Sequence, residues 1–148
     1  MIKTYSAEET RALGSRLSRL LRPGDAVVLQ GDLGAGKSEF ARGVARGLGI
    51  HGPVPSPSFT ILNAYDEGLF PLYHFDWYRI NDPEEIAEMG FEEQLNGDGI
   101  SLIEWSERAE DYLPSRRLCV RIHTVDETSR EFSFETKGGF PFSEEQIL

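Results

Sequence analysis

Cysteine occurs once in the 148 residues, at Cys119. A lone cysteine forms no internal disulfide, so a small oxidised secreted framework is not expected and a reducing cytosol is the natural setting. Its place in the alternating run RLCVRI reads as a buried small hydrophobe. Long hydrophobic runs are also missing. The opening MIKTYSAEET has no apolar leader core, and no run approaches the length of a membrane span, so neither secretion nor membrane insertion is expected. Positive charge is scarce: 15 lysines and arginines face 25 aspartates and glutamates, for a formal net charge of −10. Autonomous nucleic-acid binding relies on basic side chains neutralising phosphates and is not expected here. Contact with nucleic acid would come through a partner that brings the basic surface. The three histidines, His51, His74 and His123, lack metal-ligand spacing. Lysine appears only at Lys3, Lys37 and Lys137, never after asparagine, which excludes the N-K-x-D guanine signature of a GTP-regulated switch.

What remains is the composition of one soluble domain spanning 1–148, long enough to bury a core without staples. MIKTY reads as a short strand. Ser6 and Glu9 form a capping box ahead of a leucine-periodic helix over 7–21. AVVLQ (26–30) has the unbroken apolar run of a buried strand, and KSEFARGVARGL (37–48) the period of a helix. HGPVPSPS (51–58) is a loop. FTILNAY and LFPLYHF read as an antiparallel pair. NDPEEIAEMGFEEQL is one helix, or two short ones parted near Gly90. GISLIEW (99–105) is a second apolar strand, SERAEDYLP a brief helix, and RRLCVRIHTV with REFSFET a hairpin. The last ten residues, with Gly139 and Pro141, read as poorly ordered.

The stretch GDLGAGKS (31–38) carries the chemistry. It matches G-x-x-x-x-G-K-[ST] at Gly31, Gly36, Lys37 and Ser38, after a buried strand and at the opening of a helix, as a phosphate-binding loop requires. The backbone N–H groups of Gly31, Asp32, Leu33, Gly34, Ala35 and Gly36 can form an anion nest, which the positive end of the helix reinforces. Lys37 supplies a charge for β- and γ-phosphates, and the Ser38 hydroxyl is a hard ligand for Mg²⁺. A polyphosphate ligand and Mg²⁺ are therefore expected.

Such a site needs acids near the metal. Glu104 ends the strand ISLIE, where a sheet presents its carboxyl edge. In YHFDWYR, period-two alternation puts His74, Asp76 and Tyr78 on one face. Lys37, Asp76 and Glu104 are the candidate catalytic residues; Ser38, Glu104 and Asp76 are the candidate metal ligands. Ser56 and Ser58 lie in a proline-stiffened loop suited to sensing a γ-phosphate through a hydroxyl. If Glu104 points to the metal, alternation turns Trp105 away, into the core or onto a partner surface. The loop alone does not separate an ATPase that works within a complex from a small-molecule kinase. Arg116 and Arg117 are the only adjacent arginines for a kinase lid, and they open a strand instead.

Beyond these residue-level readings, the sequence resembles the TsaE family (also called YjeE), small bacterial ATPases needed for threonylcarbamoyladenosine modification of tRNA. The resemblance is carried by GDLGAGKS, SPSFTILNAY, LYHFDWYRI and ISLIEWSE, in that order, from about residue 24 to 107. It implies a P-loop NTPase-like three-layer α/β sandwich with a mixed central sheet, whose parallel part contains 26–30 and 100–104. It further implies a cytoplasmic ATP hydrolase of low activity alone, with Ser38 and Glu104 near the metal and functional roles for Asp76 and Trp105. The implied partners are TsaD and TsaB, with tRNA reached only through that complex. Ser58 stands where the family usually has threonine, and it keeps the hydroxyl.

Overall fold

In chain order the elements are β1 (Ile2–Thr4), α1 (Ala7–Ser18), β2 (Ala26–Gln30), α2 (Lys37–Gly47), β3 (Leu62–Tyr65), β4 (Leu72–Asp76), α3 (Glu85–Glu88), α4 (Phe91–Leu95), β5 (Ile100–Glu104), β6 (Arg117–Thr124) and β7 (Arg130–Lys137). The computed structural model describes residues 1–32, 34–57 and 59–148. All seven strands form one sheet in the order β1-β7-β6-β2-β5-β4-β3. Its centre, β6-β2-β5-β4, is parallel, and antiparallel strands flank it on both sides. This is a P-loop NTPase-like α/β fold with a mixed sheet. The strands at 26–30 and 100–104 are neighbours, Leu29 opposite Glu104.

β2 is apolar throughout because both its faces are covered. Val27 and Leu29 pack with Leu13 and Leu17 of α1 and Phe40 and Val44 of α2, while Ala26 and Val28 pack with Ile86 of α3 and Leu95 of α4. Each fully buried side chain of this size contributes about 1.5–3 kcal/mol. α1 and α2 touch backbone to backbone, since a Cβ on Gly43 would stand 2.0 Å from the Arg11 carbonyl oxygen. Ser6 caps α1 by accepting from the Glu9 N–H at 3.1 Å. The helix stops at Ser18, short of residue 21, yet Leu21 stays buried in the turn before Pro23.

The acidic segment after β4 is two short helices on either side of Gly90. SERAEDYLP does not form one helix but two 3₁₀ turns, Ser106–Arg108 and Glu110–Tyr112, because the non-helical backbone of Ala109 (φ −154°, ψ 53°) separates them. The C-terminal ten residues also differ from expectation. Glu144–Ile147 is a 3₁₀ turn with a capping box on Ser143, and Ile147 and Phe140 are buried in the α1/α2 core. Arg16 Nε donates to the Ile147 carbonyl at 2.8 Å, and the Met1 ammonium pairs with Glu144 at 2.7 Å. Apolar anchors outweigh the glycines there. No helix among the described residues is long and apolar enough to cross a membrane.

Candidate active site

Parallel strands point their carboxyl ends the same way, so the segments leaving β2, β4 and β5 gather at one edge of the sheet. After β2 the chain must pass from strand into helix within six residues. Gly36 makes the last step as the N-cap of α2 with φ 100°, a left-handed backbone that a residue with a Cβ rarely adopts. Among the described residues no side chain caps α2. The amides of its first turn therefore face outward as anion donors, strengthened by the helix dipole.

Opposite that turn stand the two acids. Asp76 ends β4 and Glu104 ends β5, directly paired in register. Both are buried, at 3% and 4% exposure, and both line a cavity of about 540 Å³ together with Gly34, Gly36, Lys37 and Ser38. Alternation along β4 and β5 puts His74, Asp76 and Glu104 on the face that α2 covers, as the expected one-face grouping requires. His74 Nε2 lies 2.6 Å from Glu104 Oε2, and its Nδ1 has no partner among the described residues. With a hydrogen on Nε2 the ring donates to the carboxylate and orients it. The Asp76 carboxylate accepts the Tyr78 N–H at 2.9 Å, and the Asp76 N–H donates to the Ile61 carbonyl at 2.8 Å.

Trp105 departs from the alternation. Its backbone is left-handed (φ 57°, ψ 40°), a conformation costing about 1–2 kcal/mol for a residue with a Cβ. That twist ends the strand and brings the indole into the same cavity as Glu104 instead of away from it. Lys37 Nζ sits 4.3 Å from the indole centroid. The Tyr78 ring follows at 4.9 Å, and the Arg108 guanidinium lies 5.4 Å from the Tyr78 centroid. A ladder of cation, two rings and cation thus runs from the loop lysine outward.

Ser56 lines the cavity from the 51–57 segment; Ser58 and Leu33 lie outside the described residues. Gly31 and Asp32 border a neighbouring cavity of about 380 Å³, with Trp105 between the two. The Ala35 side chain is buried in the core, so only its backbone is available. Phe59 and Arg79, stacked at 4.5 Å, also line the cavity, and two more of its residues escaped the sequence reading: Glu39, which pairs with Arg11 and Arg42, and Arg130, which arrives from β7. Neither carries a local motif. The nearest sequence signal was the shared strand face of His74, Asp76 and Tyr78.

The donor set has a definite chemical character. Among the described residues no three His, Cys, Asp or Glu side chains form a self-sufficient metal cage. One hydroxyl and two carboxylates beside an amide-lined helix start suit a Mg²⁺ ion that keeps water and takes further oxygens from a phosphate chain. Lys37 and the open amides suit the phosphates themselves.

Comparison with known proteins gives concordant matches. A family model described as "Threonylcarbamoyl adenosine biosynthesis protein TsaE" matches residues 4–132. The "tRNA threonylcarbamoyladenosine biosynthesis protein TsaE" of Bacillus subtilis (strain 168) is 42% identical over 136 residues, covering 92% of this chain and 85% of the relative. The protein of that name from Treponema pallidum (strain Nichols) is 40% identical, covering 86% and 94%. Among solved structures, "Crystal structure of Bacillus subtilus YdiB" superposes with a TM-score of 0.79 at 40% identity, over 93% of this chain and 84% of that one.

Proposed function

This chain belongs to the TsaE family of threonylcarbamoyl adenosine biosynthesis proteins, and on that premise we propose that it is a Mg²⁺-dependent ATP hydrolase supporting formation of N6-threonylcarbamoyladenosine in tRNA. One observation carries the reading: Lys37 and Ser38 at the start of α2 face Asp76 and Glu104 across a single cavity. When bound, ATP supplies the phosphoanhydride and Mg²⁺ neutralises charge on its oxygens. The loop amides and Lys37 would hold the phosphates. Ser38 and a carboxylate of the Glu104–Asp76 pair would hold the cation, and the carboxylate left free of it would take the proton of the attacking water. His74 keeps Glu104 in one orientation for that work. The acidic surface supports a role within a cytoplasmic complex with TsaD and TsaB, through which tRNA is reached, rather than direct tRNA binding.

The test is nucleotide turnover with Mg²⁺, measured for the protein alone, with purified TsaD and TsaB, and with a panel of small-molecule alcohols and acids. Slow hydrolysis alone that rises with the partners is expected. Phosphate transfer to a member of the panel, or no turnover under any condition, overturns the reading; transfer would make the protein a kinase.

A further inference from the structure

Arg130 stands 92 positions after Ser38 and outside every motif, yet among the described residues it makes four hydrogen bonds, all to backbone carbonyls. Its Nη1 donates to Asp126 at 2.7 Å and Ser129 at 2.9 Å, tying it to the turn between β6 and β7. Its Nε donates to Ala35 at 3.1 Å, and its Nη2 to Gly34 at 3.3 Å. The last two oxygens belong to the phosphate loop. The base of this fork is firm, because Arg130 pairs with Thr124 of β6 and with Thr4 of β1 in the sheet. Asp126 closes the turn by accepting the N–H groups of Thr128 and Ser129. The stem packs against Gly36, where an added Cβ would have Arg130 Nε and Cγ at 3.7 and 3.8 Å.

In a trans peptide the carbonyl and the following N–H point in opposite directions within one plane. Holding the Ala35 carbonyl therefore fixes where the Gly36 N–H points. Holding the Gly34 carbonyl fixes the Ala35 N–H, which donates to the Asp32 carbonyl at 3.0 Å. A glycine-rich loop left to itself would lose much conformational freedom on meeting an anion, and that loss would weaken binding.

We propose that Arg130 is a positioning residue that sets the phosphate loop in its anion-ready shape before ligand arrives. The proposal rests on the reading of this cavity as a nucleotide site. Although Arg130 also borders the cavity, the proposal has it act through the loop backbone, so ADP and ATP depend on it equally.

Titration calorimetry with Mg²⁺-ADP and Mg²⁺-AMPPNP tests this on the wild type, Arg130→Ala and Arg130→Lys, each checked by thermal melting. Arg130→Ala is expected to weaken both nucleotides about thirtyfold, the worth of two hydrogen bonds. Arg130→Lys should remain within about threefold of it, since one ammonium lacks the planar fork. Methylguanidinium added to Arg130→Ala should restore part of the affinity. Wild-type affinity in Arg130→Ala, or a loss confined to AMPPNP, overturns the proposal; the latter would mean direct contact with a γ-phosphate. Amide exchange at Ala35, whose N–H donates to the Asp32 carbonyl on the peptide that Arg130 holds, reads the clamp in the ligand-free wild type without any substitution: protection supports it, and exchange at the rate of an open loop overturns it. A wild type that binds neither nucleotide, with Ala35 protected, overturns the nucleotide reading and leaves the clamp standing.

Discussion

Replacing Lys37 by methionine is expected to move stability and ligand affinity in opposite directions. The Lys37 side chain is only 7% exposed, and among the described residues its ammonium forms no ion pair. Its contact is the face of Trp105 at 4.3 Å. A buried charge without a counter-charge costs several kcal/mol, and a desolvated cation–π contact returns about 2 of them. Methionine has a similar length, removes the charge, and lays a thioether on the indole worth about 0.3–1.5 kcal/mol. A net gain of about 1–2 kcal/mol results, which for a chain of this size raises the melting temperature by about 2–8 °C. The same change deletes the charge that the loop itself would bring to the phosphates. At about 3 kcal/mol for a charged hydrogen bond, Mg²⁺-nucleotide affinity should fall more than a hundredfold. Ligand-free thermal melts and calorimetric titration measure the two effects. A melting temperature that falls would show that the cavity stabilises the ammonium in place, and would refute the reasoning from unpaired charge.

Two other expectations concern the site and its supports. Glu104→Gln keeps the shape beside His74 and removes the charge, so steady-state hydrolysis with the partners should drop at least tenfold while nucleotide affinity changes by less than about threefold; an unchanged rate would remove Glu104 from the metal site. The backbone N–H groups of Thr128 and Ser129 hold the Asp126 carboxyl below the usual carboxylate range. Its contribution to stability is then complete above the unfolded value of about 3.9 and is lost as pH falls through the lower folded value. An NMR titration of the Thr128 and Ser129 amides checks this, and a midpoint at or above the ordinary aspartate value would refute it.

The parts of this molecule legible from sequence are those whose cause is local. AVVLQ reads as a doubly covered strand because all its side chains must be apolar, and Ser6 announces α1 through its own hydroxyl. GDLGAGKS announces the turn from β2 into α2 because its glycines take left-handed backbone, Gly34 at φ 80° and Gly36 at φ 100°. The pairing of Asp76 with Glu104 was reachable, since each ends a strand whose direction the fold class dictates. What stayed hidden depends on distant residues or on backbone choices that carry no sequence mark. Nothing in ISLIEW tells that Trp105 leaves the strand with a positive φ. The hold of Arg130 on Gly34 and Ala35 joins residues nearly a hundred positions apart. The order of the C-terminus comes from Phe140 and Ile147 finding a core that lies mostly upstream.

The pairing of β1 with β7 has a consequence for how the chain is made. Ile2 lies opposite Phe132, so β1 leaves the ribosome with its partner strand about 130 residues behind it. At translation speeds of about 5–20 residues per second, that strand waits on the order of 10 s with its backbone unpaired. The parallel centre β2-β5-β4 can assemble as soon as residue 104 has emerged, whereas the β6–β7 hairpin, which brings both the seat for β1 and the arginine that braces the phosphate loop, arrives afterwards. Vectorial synthesis therefore leaves closure of the N-terminal edge and bracing of the site to the same late event, and a nascent chain halted before residue 130 carries the whole loop motif without the side chain that holds it in shape.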